Sequence, residues 1–156
     1  MRSNSRSVHR LIGLLCFLLV ISSVAALCWP QNCRNFIDSE YGDITIYVAT
    51  PHFEDLTNLP TFTTEQQTIL SGSDEYIKIL EIMEDYRCHR SILPMDQNNH
   101  LPWIYIYAEN GLLLFEYRGG NDFFADGKCF SLYGKNNCKN MMDAIYYFLY
   151  SPNNTP

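Results

Sequence analysis

Positive charge is scarce in this chain, with 11 Lys and Arg against 17 Asp and Glu. Three of the basic residues, Arg2, Arg6 and Arg10, fall within the first ten positions. Downstream of position 26, eight basic residues face all seventeen acidic ones, a net charge of −9 with histidine neutral. No basic cluster exists to attract a phosphate backbone, so nucleic acid is not expected as a partner. The same shortage disfavours an anionic membrane surface. Metal-ligand spacing is also missing. Cys88-His89 stands beside no CxxC, and His52, His89 and His100 are scattered, so no metal is expected. There is no GxSxG, HExxH, P-loop or dinucleotide fingerprint, and no cofactor is expected. The acidic residues form no readable catalytic pair, because the separation that defines a glycosidase pair is a property of the fold.

What is present begins at the amino terminus. The basic start is followed by the apolar run LIGLLCFLLVI (Leu11–Ile21) and by the small residues Ser23-Val24-Ala25-Ala26. This is the pattern of a secretory signal peptide, residues 1–26, cut after Ala25 or Ala26. An uncleaved anchor is the competing reading, since apolarity persists to Leu27. No later run is long enough to span a bilayer, so no stable membrane insertion is expected after cleavage. Residues 27–156 then form a single domain with a core at about 41–150, located outside the cell or in the secretory-pathway lumen.

Cys28, Cys33, Cys88, Cys129 and Cys138 remain in that domain. In an oxidising compartment five cysteines imply two disulfides and one leftover thiol, which is buried, pairs with another chain or reacts. Cys129 and Cys138 can close a short loop over Gly134 and Lys135-Asn136-Asn137. Cys28 and Cys33 can close their own loop, or the amino-terminal pair can be stapled to the rest of the domain, with Cys88 as a partner. Asn153-Asn154-Thr155 is a glycosylation sequon.

Along the chain, DITIYVA (Asp43–Ala49) alternates β-branched and aromatic residues as a half-buried strand does. TTEQQTIL (Thr63–Leu70) reads as a short helix with Thr63 or Thr64 as its cap. A stronger helix begins at Ser73. It has acids in its first turn, an apolar stripe of Tyr76, Ile79, Leu80, Met83 and Tyr86, and Arg87, His89 and Arg90 at its far end. A strand over YIKILEI is the rival reading there. Trp103–Ala108 and Leu112–Tyr117 are strands joined by the tight-turn dipeptide Asn110-Gly111. NMMDAIYYFLY (Asn140–Tyr150) closes the chain as an amphipathic helix.

The order proline, strand, Asn-Gly turn, strand, Gly-Gly, loop and helix, over about Leu101–Tyr150, resembles the second half of the thioredoxin-like fold. YRGG (Tyr117–Gly120) is similar to a segment of protein disulfide isomerase domains. The resemblance implies an α/β three-layer sandwich with a central mixed sheet, here stabilised by disulfides. It also implies that Pro102 is the cis-proline, and that Ile44–Val48 runs parallel to Trp103–Ala108. It departs where the family's CxxC should stand. ATPHFEDL (Ala49–Leu56) holds no cysteine, and His52 is the only reactive side chain near it. No attacking thiolate and no resolving partner occupy that position. The expected function is therefore a redox-inactive module acting through a protein partner, with no catalytic residue. The alternative is a thiol–disulfide oxidoreductase using the displaced cysteines Cys28 and Cys33, or Cys88 between Arg87 and Arg90.

Overall fold

The structure is a computed structural model that describes residues 3–37, 39–52, 61–92, 101–134 and 137–150. An apolar helix α1 (Ser3–Cys28) opens the chain. Its stretch Val8–Ala26 is long and apolar enough to cross a membrane, and none of it is buried against the rest of the protein. A signal sequence forms such a helix.

The remaining elements make one sheet and its cover. They are β1 (Gln31–Asn32), two 3-10 turns (Cys33–Phe36 and Ser39–Tyr41), β2 (Ile44–His52), β3 (Thr61–Ile69), α2 (Asp74–Glu84), β4 (Arg87–Arg90), β5 (Trp103–Ala108), β6 (Leu113–Tyr117), β7 (Asp122–Ala125), β8 (Lys128–Leu132) and α3 (Asn137–Tyr150). The eight strands lie in the order β1-β4-β8-β7-β6-β5-β2-β3. Every pairing is antiparallel.

This corrects the thioredoxin-like expectation. β2 runs against β5, with Ile44 opposite Ala108, Ile46 opposite Ile106 and Val48 opposite Ile104. A parallel pair needs a crossover back to the same end of the sheet. Here the chain leaves β2 into the antiparallel edge strand β3, and α2 then carries it to β4, next to the opposite edge. The sheet is not mixed, and the class is α+β rather than a three-layer α/β sandwich. No disulfide forms among the described residues, so bridges do not supply the stabilisation expected of them. No described peptide bond is cis, and Pro102 is not a cis-proline.

One face of the sheet holds the core. Alternation places Ile44, Ile46 and Val48 of β2 on the same face as Ile104 and Ile106 of β5, all with exposures of 2% or less. Phe115, Phe123 and Phe130 continue the core on β6, β7 and β8. Phe115 stacks on Phe123 at 4.3 Å, and Phe36 from the first 3-10 turn closes on Phe130 at 4.7 Å. Tyr76, Ile79 and Met83 of α2 and Met141, Met142 and Ile145 of α3 belong to the same apolar cluster. Each fully buried side chain of this size contributes about 1.5–3 kcal/mol. Among the described residues the helices that follow the signal segment cover this face alone, and the opposite face stays partly open.

The local signals explain most boundaries. Ser73 caps α2 by accepting the Tyr76 N–H at 3.2 Å, ahead of Asp74 and Glu75. The helix stops at Glu84, however, and RCHR forms β4. Cys88 alternates inward there, opposite Leu132 of β8, so Arg87, His89 and Arg90 do not serve as a helix end. The segment read as a helix from Thr63 is strand β3, paired with β2 from Thr61 to Ile69. Its four threonines are β-branched, and it lacks the apolar stripe a packed helix requires. The β5–β6 hairpin turns as expected at Asn110-Gly111, with Asn110 Oδ1 accepting the Leu112 N–H at 2.9 Å. The β7–β8 hairpin turns at Asp126-Gly127, where φ is +54° and +68°, the pair of left-handed positions a two-residue hairpin turn demands.

Candidate functional site

The described cysteines form no disulfide. Cys33, Cys88 and Cys138 are buried free thiols, and Cys129 is a half-buried one on β8. The Cys33 N–H bonds the Tyr86 carbonyl at 3.2 Å and extends the β1–β4 ladder, in which Gln31 faces Cys88. Cys33 and Cys88 are therefore diagonal neighbours. A hydrogen bond with Cys88, and then burial, push the Cys33 thiol far above its ordinary value. Burial, with Asp122 nearby, does the same to Cys138. Cys129 is raised by burial and Asp122, against the opposing bonds from Ser91 and the Phe130 backbone. A thiol held protonated is a poor nucleophile. Among the described residues no group of three or more ligating side chains could hold a metal ion. The side chain of Cys28 and the sequon at Asn153 lie outside the described residues. His52 is the last residue of β2, and its Nε2 lies 2.7 Å from Thr63 Oγ1.

The structure instead brings together a set of aromatic residues on the open face. WIYIYA sends Ile104, Ile106 and Ala108 inward, so Trp103, Tyr105 and Tyr107 lie on the outer side of β5. β2 contributes Thr45 and Tyr47 by the same alternation. Tyr47 is directly opposite Tyr105 and diagonal to Tyr107, whose ring stands 5.4 Å away at 87°. The pairing of β5 with β6 shifts register between Ile106 and Tyr107, beside this set.

Thr45, Tyr47, Tyr105 and Tyr107, with Thr64 of β3 and Glu109 of the turn, line a cavity of about 570 Å³. That lies within the range of small-molecule sites. A second concavity of about 440 Å³, lined by Glu40, Tyr41 and Gly42, shares Glu109 with it. Gly42, at φ +71°, makes room for that carboxylate. A Cβ there would stand 2.6 Å from Glu109 Oε2.

Beside the cavity, the buried carboxylate of Glu116 (7% exposed) is held by Arg118 through Nε and Nη2. The Arg118 guanidinium lies 5.5 Å from the Trp103 ring centroid, and Phe62 meets Trp103 at 4.8 Å. Burial raises the Tyr105 phenol above its usual value despite the opposing charge of Arg118. On the helical side, a cavity of about 180 Å³ lies among Pro102, Tyr117, Asp143 and Tyr146. Among the described residues the Tyr117 hydroxyl is buried without a hydrogen-bond partner.

None of the tyrosines or Glu109 stood out as a site residue in the sequence. The signal was the outward half of β5, three aromatics at every second position. An ordinary half-exposed strand carries polar residues there. Comparison with known proteins adds no assignment, since no family model, no curated protein and no solved structure matches this chain.

Proposed function

We propose that this chain is a non-catalytic binding protein of the secretory pathway, and that the outer face of β2, β3 and β5 is its recognition surface. The carrying observation is the cavity between Tyr47, Tyr105, Tyr107 and Glu109 on a sheet face that those helices leave open. The buried, protonated thiols support a redox-inactive role over thiol–disulfide exchange. The exposed apolar helix α1 supports cleavage after Ala25 or Ala26 and release of the remaining chain as a secreted protein.

Two measurements test the reading. A fragment screen followed by amide chemical shifts should concentrate its hits on residues 44–49 and 103–111. Hits scattered over the surface, or none on those strands, would refute it. Expression in a eukaryotic secretory line should yield a shortened chain in the medium, and a full-length chain retained in membranes would overturn the localisation.

A further inference from the structure

We propose that the outer-face cavity takes an organic ammonium cation, with the ring faces of Tyr47, Tyr105 and Tyr107 around the head group and the Glu109 carboxylate as its counter-charge. This rests on the binding reading above and names its ligand class. Three tyrosines line the cavity from one side of two paired strands. Tyr47 and Tyr107 stand nearly perpendicular at 5.4 Å in an edge-to-face contact, so they present two differently oriented rings rather than a flat platform. The face of an aromatic ring is the negative end of its quadrupole, and a ring face left free by that contact attracts a positive group.

The formal charge agrees with the rings. Among the described residues Glu109 is the one charged residue lining the cavity, and the adjoining concavity adds Glu40. An anionic ligand would find no basic side chain among the described residues of those walls. Arg118, which also interacts with Tyr105, is committed to the buried Glu116 carboxylate and lies over Trp103. The net charge of −9 beyond the signal segment raises the local concentration of cations. About 570 Å³ exceeds what a bare metal ion needs, and the cavity offers a single carboxylate where a hard metal asks for several oxygens. An amine on a carbon skeleton fits both the volume and the walls.

A matched series changes only the head group: tyramine, the neutral 4-ethylphenol, and the anionic 3-(4-hydroxyphenyl)propanoate. Each is titrated to millimolar concentration into the full chain, with amide shifts and calorimetry as readouts. Tyramine should saturate with shifts on residues 44–49 and 103–111, at least about tenfold more tightly than 4-ethylphenol, while the propanoate should not bind. Cation–π and charge contributions of ordinary size predict that Tyr107→Ala and Glu109→Gln each weaken tyramine by about 3–30-fold. Glu109 sits in an exposed turn, so the Glu109→Gln variant keeps its fold, which its amide spectrum checks directly. If the neutral or anionic compound binds these strands as well as tyramine does, or tyramine is indifferent to Glu109→Gln, the ammonium assignment fails while the binding surface stands. If none of the three moves the amides of these strands, the ammonium assignment fails, and an empty fragment screen then removes the surface with it.

Discussion

Replacing Phe115 with Ala removes a ring from the centre of the sheet. Phe115 has no solvent exposure and stacks on Phe123 at 4.3 Å and 15°. Phe123 in turn contacts both Phe36 and Phe130 at 5.6 Å, so the lost ring underlies a four-ring cluster. Phe-to-Ala changes in cores cost about 3–5 kcal/mol, and the cost is higher where the walls cannot collapse. Ladder bonds hold β6 between β5 and β7, so the walls here move little and about 4–5 kcal/mol is expected. At about 3–4 °C per kcal/mol for a chain of this size, the melting temperature should fall by about 12–20 °C. Urea unfolding followed by circular dichroism measures the loss at unchanged m-value. A cycle with Phe115→Leu and Phe123→Leu should return a coupling of about 0.5–1.5 kcal/mol for the stacked pair. Tyr147→Ala, at 68% exposure, is the control and should cost little. A loss below about 1.5 kcal/mol for Phe115→Ala, with m unchanged, would falsify the placement of this strand at the centre of the core.

Removing the cap with Ser73→Ala should destabilise the protein by about 1 kcal/mol, and Ser73→Asp should restore most of it. Equal unfolding midpoints for wild type and Ser73→Ala would contradict the cap geometry. Arg118→Ala strands the Glu116 carboxylate. Because Arg118 is itself a third exposed, the expected cost is about 1–3 kcal/mol, with partial rescue by Arg118→Lys. A neutral Arg118→Ala would show that Glu116 does not need its partner.

Stability should also fall at alkaline pH. Cys33, through its bond with Cys88 and burial, and Cys138, through burial, keep their protons when folded. Unfolded thiols lose theirs near pH 8.5. Below that value the contribution is complete. Above it the unfolded chain binds fewer protons than the native one, so stability declines as pH rises. A melting temperature that holds level or climbs between pH 8 and 10 would contradict the buried, protonated thiols.

Local pattern made several elements legible in the sequence. WIYIYA with Asn110-Gly111 is a strand running into a hairpin, Ser73 before Asp74 and Glu75 is a helix start, and Met141 with Ile145 marks the stripe of α3. Strand direction was not legible. Ile44, Ile46 and Val48 alternate identically whether Ile104 and Ile106 lie parallel or antiparallel beside them, and the choice is made by connections far away in the chain. Thr61–Ile69 misled because Glu65, Gln66 and Gln67 are good helix formers and only pairing with β2 overrides them. Asp126-Gly127 was a readable hairpin signal just ahead of Cys129, whose candidate disulfide with Cys138 drew attention instead. At the site, the outward aromatics of β5 were visible, but Tyr47 joins them only through a register that alternation does not encode.

The strand order also sets a timetable for folding. β5 to β8 are neighbours in sequence and in space, so the second half of the chain can form its meander from local contacts alone. The first half cannot finish by itself. β2 must wait for β5, β4 for β8, and β1 reaches the sheet only through β4. Non-local pairing of this kind is slow and leaves apolar strands uncovered in the meantime. A chain delivered amino terminus first therefore presents Ile44, Ile46 and Val48 before their partners exist. Completion falls to the last third of the polypeptide, and a product truncated before Leu132 would leave β4 and β1 with no sheet to join.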